Sequence, residues 1–203
     1  MFKRVADFHR TFNQLIASSA QFPNSSIREL RHSLLKEEVD EFCEAYEADD
    51  IVEQADALAD MCYIIAGTCV SYGICPTDHW CNKEELFESP YDHPTHTYKG
   101  ITLFYNKKLN EIVQEDFQNY VDAEGSNNLE LVKESLLVMI TTIYGIAYHL
   151  LLPLNAIFAE VHRSNMEKAL PDGTVLRRPD GKILKSPDWT PPDIKSILDL
   201  NKV

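Results

Sequence analysis

The stretch IVEQADALADMCYIIAGTCVSY, residues 51–72, places three acids at helical spacing inside an otherwise apolar run. Glu53, Asp56 and Asp60 follow one another at i, i+3 and i+7, so in a helix they share one face. Asp is a poor helix former, and a carboxylate drawn toward a core costs free energy unless a cation pairs with it. We therefore expect a helix over 51–72 whose acids bind something positively charged.

A second group of acids precedes this helix. Glu37, Glu38 and Glu41 lie in a helical pattern that runs from about residue 27 to 48, with Ser26 as its expected cap. If the two helices form an antiparallel hairpin, the two acidic stripes face each other. Hard oxygen ligands without nearby His or Cys suit Mg²⁺ or Mn²⁺ better than zinc. The pattern predicts a divalent metal and, behind it, a polyphosphate substrate. The alternative is a solvated acidic face, and it leaves the apolar surroundings of Asp56 and Asp60 unexplained.

The rest of the chain continues the helical pattern. Further helices are expected at about 2–20, 103–121, 129–151, 155–169 and 192–200, and a Pro- and Gly-rich tail over 171–192 is expected to wrap the surface. The prediction is an all-α fold in a single domain. An N-terminal helix and an irregular C-terminal tail would flank a four-helix-bundle-like core.

An internal repeat is predicted when the helices are overlaid. Residues 36–42 lie over 111–117, and 51–67 lie over 129–145, which gives one hairpin at about 27–75 and another at about 103–152. Most acids of the first hairpin are replaced in the second. Glu37, Glu38, Glu53 and Asp60 fall opposite Ile112, Val113, Leu131 and Val138, whereas Glu41 and Asp56 fall opposite Asp116 and Glu134. The second hairpin is therefore expected to be a degenerate, structural partner of the first.

Charge and composition exclude several classes of protein. The net charge of −13 argues against a partner such as a nucleic-acid polymer. The apolar stretch 136–154 contains Thr, His and Tyr, so a buried helix is expected rather than a membrane span. Five cysteines without a Cys-x-x-Cys pair suggest reduced thiols and a cytoplasmic location.

Three stretches together resemble the all-α NTP pyrophosphohydrolases, the superfamily of MazG-like and phosphoribosyl-ATP pyrophosphohydrolase-like proteins that includes the dimeric dUTPases. They are LLKEEVDEF (34–42), EQADALADMCY (53–63) and FAEVHRSNMEK (158–168), the last followed by DGKILK (180–185). FHRTF (8–12) also looks like this superfamily. The resemblance implies hydrolysis of a nucleoside triphosphate between its α- and β-phosphates, with Mg²⁺ as the cofactor and Mn²⁺ as a possible substitute.

The resemblance also implies roles for particular residues. Glu37 and Glu38 would be catalytic; Glu38, Glu41, Glu53, Asp56 and Asp60 would bind metal; and Lys36, Asn165, Lys168 and Lys185 would contact the nucleotide. Lys182 and Lys185 would close over the nucleotide from the tail. Family members generally associate, so a homo-oligomer is expected, a dimer or a tetramer. The acid-poor hairpin inserted before residue 152 departs from compact members and resembles a fused pseudo-dimer.

Other interpretations stay open. Hydrolysis of phosphoribosyl-ATP would use the same chemistry, and a non-catalytic helical interaction module would use the acids only for solubility. Glu29 and His32 form a Glu-x-x-His pair as in di-iron bundles, which need two such pairs. Phe8, Phe12 and Tyr63 could stack on a base or simply form core. A zinc site could use Cys75, His79, Cys81, His93 and His96, although their spacing matches no standard site.

Overall fold

Two helical hairpins lie at the centre of the fold. The computed structural model describes residues 1–75, 107–170 and 172–201. The helices in these residues are α1 (Phe2–Thr11), α2 (Ser25–Glu47), α3 (Ile51–Tyr72), α4 (Leu109–Gly125), α5 (Leu129–His149), α6 (Leu154–Met166) and α7 (Ile194–Leu200). Within these described residues there is no strand, only two isolated β-bridges in the tail. The all-α prediction is confirmed.

Helix α3 is the centre of the core. It packs against α2 within its own hairpin and also contacts α1, α5, α6 and α7. Nearly every side chain from Gln54 to Tyr72 is buried, because the helix is apolar on all sides. Asp56 and Asp60 are half-buried exceptions. The predicted bounds of this helix are confirmed. Asp50 caps its start by accepting from the backbone N–H groups of Val52 and Glu53, and Gly73 ends it at φ 63°.

The N-terminal helix is shorter than predicted. The apolar spacing favoured a helix over 2–20, but α1 ends at Thr11 and Asn13 takes a left-handed conformation at φ 45°. The following segment instead bonds to the end of α3: the N–H of Ala17 donates to the carbonyl of Val70 at 3.1 Å. Leu15 and Ile16, which belong to that apolar spacing, are 39% and 40% exposed. Tertiary hydrogen bonds override the local pattern here.

Helix α2 begins two residues earlier than predicted. The side chain of Asn24, not that of Ser26, accepts the hydrogen bond from the N–H of Ile27, at 3.0 Å. The predicted Ser26 cap is therefore wrong. Asn is as good an N-cap residue as Ser, since both present an acceptor oxygen close to the backbone.

The second hairpin, α4 and α5, packs against the first. Helix α4 contacts α2, and α5 contacts α3. Helix α4 extends beyond the predicted residue 121 to Gly125, and α5 ends at His149. By length and composition α5 could cross a membrane, yet 44% of its most apolar window is buried, and its contacts with α4 and α3 are those of a core helix. The internal repeat stays a prediction.

The cysteines differ in part from the expectation of reduced thiols. Cys43, Cys62 and Cys69 are free and buried. Cys75 is disulfide-bonded, so the expectation is wrong at that residue. The other members of the candidate zinc set, His79, Cys81, His93 and His96, lie outside the described residues.

The C-terminal tail folds back over the first hairpin. Arg177 and Ile183 form an isolated bridge on either side of the turn at Gly181, whose φ of 93° suits glycine. The indole N–H of Trp189 donates to the carbonyl of Ser164 at 3.0 Å, which fixes the tail on α6. The tail therefore forms part of the wall of the cavity described next.

Candidate functional site

A cavity of about 370 Å³ lies between α1, α2, α3, α6 and the tail. Five of the predicted site acids line it together: Glu37, Glu38, Glu41, Asp56 and Asp60. The two acidic stripes thus face one cavity, as expected for an antiparallel hairpin of α2 and α3. Glu53 is exposed in the first turn of α3 and does not line the cavity, although its charge contributes to raising the pKa of Asp56.

The acids are costly to ionise in this position. Burial, and then the charge of Asp60, raises the pKa of Glu38 to about 9. Burial and the neighbouring Asp60 and Glu53 raise the pKa of Asp56 to about 7. The pKa of Asp60 rises to about 6 through burial, opposed by Lys168 and by a hydrogen bond with Asn165. This concentration of carboxylates is stable in ionised form only with added positive charge.

A divalent cation fits the chemistry of these side chains. Oδ1 of Asp56 is buried and has no hydrogen-bond partner within the described residues. All the donors are carboxylate oxygens, the ligand type that Mg²⁺ and Mn²⁺ prefer. Across residues 1–75, 107–170 and 172–201, no three Asp, Glu, His or Cys side chains are already arranged as a ligand set. The fit therefore lies in residue type and burial, and side-chain adjustment would have to complete the set.

Lysines face the acids from α6 and the tail. Nζ of Lys182 lies 2.7 Å and 2.5 Å from the two carboxylate oxygens of Glu37. Burial lowers the pKa of Lys168, and the negative charge of Asp60 opposes this shift. Nζ of Lys185 lies 4.0 Å from the ring centre of Trp189. Cations on one wall and carboxylates on the other suit a ligand that carries several negative charges together with a metal.

The predicted nucleotide contacts are only partly brought together. Asn165, Lys168 and Lys185 line the cavity. Lys36 does not; it is exposed and pairs with Asp40 at 2.5 Å, one turn further along α2. Position along the helix explains the difference, because Lys36 lies about 100° around α2 from Glu37.

Aromatic side chains line another part of the cavity. Phe8 and Tyr63 both line it, with ring centres 5.4 Å apart in an edge-to-face arrangement. Phe12, the third candidate for base stacking, is fully buried against Phe8 and belongs to the core.

Five polar or aromatic residues of the cavity are absent from the predicted site residues: His9, Gln14, Arg31, Ser164 and Trp189. Gln14 was missed because the expected long N-terminal helix hid the turn that carries it. Arg31 lies two turns before Glu38 on α2, and a helical wheel would have placed it on the same side as the acids.

Comparisons with known proteins bear on the first hairpin. Residues 5–84 match the family model of phosphoribosyl-ATP pyrophosphohydrolase. A protein of Acanthamoeba polyphaga mimivirus, described as uncharacterized protein L479, is 27% identical over 177 residues, covering 82% of this chain and 70% of the viral protein. No solved structure matches significantly. Of the stretches that carried the resemblance, 34–42 and 53–63 lie inside the matched segment. The match confirms the resemblance over residues 5–84: this segment is similar to phosphoribosyl-ATP pyrophosphohydrolase, a family of the all-α, MazG-like NTP pyrophosphohydrolase superfamily.

Proposed function

We propose that this protein is a Mg²⁺-dependent pyrophosphohydrolase that converts a nucleoside or deoxynucleoside triphosphate to the monophosphate and pyrophosphate. The observation that carries the proposal is the placement of five acids and three lysines around one cavity in a chain with a pyrophosphohydrolase segment. A role in folding alone does not explain either group, because burying even part of a carboxylate or of a lysine ammonium costs free energy of folding, and Glu38, Asp60 and Lys168 are all half-buried.

The acids of α2 and α3 would hold the cation. Glu38, Glu41, Asp56 and Asp60 are the proposed ligands in the cavity, and Glu53 is a proposed ligand whose side chain would have to turn toward it from the first turn of α3. Mg²⁺ or Mn²⁺ bound there would supply charge neutralisation at phosphate oxygens and a lower pKa for water. The unpartnered Oδ1 of Asp56 is an oxygen available for this role, since no described side chain or backbone group uses it.

Glu37 and Glu38 are the proposed catalytic carboxylates. Water attacks the α-phosphorus, the bond from that phosphorus to the bridging oxygen breaks, and pyrophosphate leaves with the electron pair. The proton of the water passes to Glu38, which is ionised once positive charge offsets Asp60 and Glu41. Glu37, held by Lys182 at the cavity wall, would orient the water from the other side.

The lysines would hold the phosphates. Lys168 approaches from the end of α6, and Lys182 and Lys185 approach from the tail. Their charges would stabilise the pyrophosphate as its charge develops. Asn165, hydrogen-bonded to Asp60, would fix that carboxylate relative to the phosphates.

The test is phosphate release after added inorganic pyrophosphatase, across the canonical and modified triphosphates, with Mg²⁺ or Mn²⁺. Wild-type protein is expected to hydrolyse at least one triphosphate, and Glu38→Gln and Asp56→Asn are expected to lose at least about a hundredfold in kcat. Glu44→Gln, an exposed glutamate on the same helix, is the control and should retain activity. No hydrolysis of any triphosphate would refute the proposal. Full activity of Asp56→Asn would refute its metal assignment.

Phosphoribosyl-ATP is the second candidate substrate, and the description of the matched family favours it. The chemistry would be the same, with AMP replaced by its N1-phosphoribosyl derivative as the product. Including this compound in the panel distinguishes the two candidates directly.

A further inference from the structure

At one end of the cavity, away from the acids, the polar side chains of Arg31 and Gln14 have hydrogen-bonding atoms without partners in the described residues. Arg31 lies seven residues before Glu38 on α2, which corresponds to about 10 Å along the helix axis. Gln14 lies in the turn after α1, and both residues line the same cavity as Phe8 and Tyr63. If the phosphates of a nucleotide bind at the acids and lysines, its base lies one sugar further along the cavity, at the end lined by Arg31 and Gln14.

Among the residues that the structure describes, Arg31 is a buried cation without a carboxylate partner. It is 6% exposed, and its Nε donates to the hydroxyl of Thr68 at 3.2 Å while Nη2 donates to the carbonyl of Ile64 at 2.7 Å. Both acceptors are neutral, and in the described part of the chain no acid forms an ion pair with it. Burial lowers its pKa to about 10, so it keeps its charge at neutral pH. Its remaining N–H groups call for an acceptor oxygen.

Gln14 supplies the complementary group. Its Oε1 is buried and accepts no hydrogen bond from the described residues. The turn that carries it is fixed on both sides by His9: the N–H of Gln14 donates to the carbonyl of His9 at 2.8 Å, and Nδ1 of His9 donates to the carbonyl of Leu15 at 2.8 Å. Burial, with the nearby charge of Arg31, lowers the pKa of His9 to about 4, so the imidazole stays neutral. The backbone of the turn that carries Gln14 is therefore held in place before any ligand binds.

We infer that Gln14 and Arg31 recognise the nucleobase, and that they select bases in which a ring N–H lies beside a carbonyl oxygen. This inference rests on the proposed function. The N–H would donate to Oε1 of Gln14, and the carbonyl oxygen would accept from Arg31. Uracil, thymine and guanine present this edge. His9 acts as a positioning residue, because it holds the turn without using the cavity-side hydrogen bonds of Gln14.

Adenine and cytosine fit this pair of groups less well. Their exocyclic amine can donate to Gln14, but Arg31 then meets only a ring nitrogen, which lies inside the outline of the base. A carbonyl oxygen projects from the ring and accepts a charge-assisted hydrogen bond from the guanidinium. If the base turns to bring its ring nitrogen closer to Arg31, its exocyclic amine also approaches the guanidinium, and two donors then face each other. The expected discrimination is at least about tenfold in kcat/KM.

The experiment compares matched bases in two assays. The first is kcat/KM for UTP against CTP and for GTP against ATP, and the second is calorimetric binding of the four corresponding monophosphates without metal. The carbonyl-bearing base is expected to win each pair by at least about tenfold. Gln14→Ala should reduce this ratio to near one in both assays. Gln14→Glu should keep the ratio, because the acceptor oxygen remains. Gln118 is an exposed glutamine of α4, and the control Gln118→Ala should leave the ratio unchanged.

The outcomes separate this inference from the proposed function. Equal kcat/KM within the pairs, preference for the amino bases, or an unchanged ratio in Gln14→Ala would overturn base recognition while leaving hydrolysis intact. If no triphosphate is hydrolysed, the proposed function fails, and the monophosphate binding still decides the inference. Binding of none of the four monophosphates, in a protein whose circular dichroism shows it folded, would overturn it as well.

Discussion

Replacing Glu38 by Gln should make the metal-free protein more stable, and under the proposed function it should also abolish turnover. Folding raises the pKa of Glu38 from its ordinary value of 4.5 to about 9, through burial first and then through the neighbouring acids. At pH 7 the carboxyl group is therefore protonated in the folded chain and ionised in the unfolded chain. Folding must take up a proton, and this uptake costs stability that a neutral amide does not lose.

The size of this stability cost follows from the interval between pH 4.5, the ordinary pKa of a glutamate, and pH 7. Stability is lost as the pH rises above 4.5, at about 1.4 kcal/mol per pH unit, which sets a ceiling of about 3 kcal/mol at pH 7. Relaxation of Asp60 and Glu41 lowers this figure, so we expect a gain on the order of 1–3 kcal/mol. For a chain of this length, each 1 kcal/mol corresponds to about 2–4 °C in Tm.

The assay is thermal unfolding in EDTA, from pH 4.5 to pH 8, of wild type, Glu38→Gln and the exposed control Glu44→Gln. The advantage of Glu38→Gln should be absent at pH 4.5 and grow as the pH rises. Added Mg²⁺ should stabilise the wild type more than the variant, because only the wild type retains the full set of acids. A Glu38→Gln protein less stable than wild type at pH 7, or one that gains no more than Glu44→Gln, would refute the reasoning.

Two further predictions concern the cavity wall. Gly67→Ala should lower the free energy of unfolding by about 1–3 kcal/mol in urea titration, because the added Cβ would lie 2.2 Å from Nη2 of Arg31. Gly125→Ala is the control: its Cβ meets no atom within 4 Å, so this substitution should be neutral or stabilising. Equal effects of the two substitutions would contradict the packing argument. Lys182→Ala should change the free energy of unfolding by less than about 1 kcal/mol, since the ion pair of Lys182 with Glu37 is partly exposed. In initial-rate kinetics the same substitution should raise KM for the triphosphate about tenfold or more. An unchanged KM would mean that Lys182 only attaches the tail to α2 and does not contact the substrate.

The first hairpin could be predicted from the sequence because its signals are local. Asp50 and Gly73 mark the ends of α3, and the acids at helical spacing identify the face that meets the cavity. Chemistry and helical period agree there, since each acid's position depends only on its place in its own helix. The order of the two helices then suffices to bring the acidic stripes together.

The remainder of the site depends on contacts that no local pattern contains. Gln14 reaches the cavity only because Asn13 reverses the chain and the next residues bond to the end of α3. Lys182 meets Glu37 only because the tail is fixed by Trp189 to α6. In both cases hydrogen bonds to residues distant in sequence decide where a non-helical segment lies. Such a segment has no repeating pattern from which these hydrogen bonds could be predicted.

The tail has a consequence for how the protein is made. Glu37 and Lys182 are separated by 145 residues, so a ribosome working at about 5–20 residues per second delivers the lysine roughly 7–30 s after the glutamate. For that interval the nascent chain carries the acids of the cavity without the cations of the opposite wall. Under the proposed function, the cavity therefore cannot hold a polyphosphate, and hydrolysis cannot begin, before the ribosome has passed Lys185.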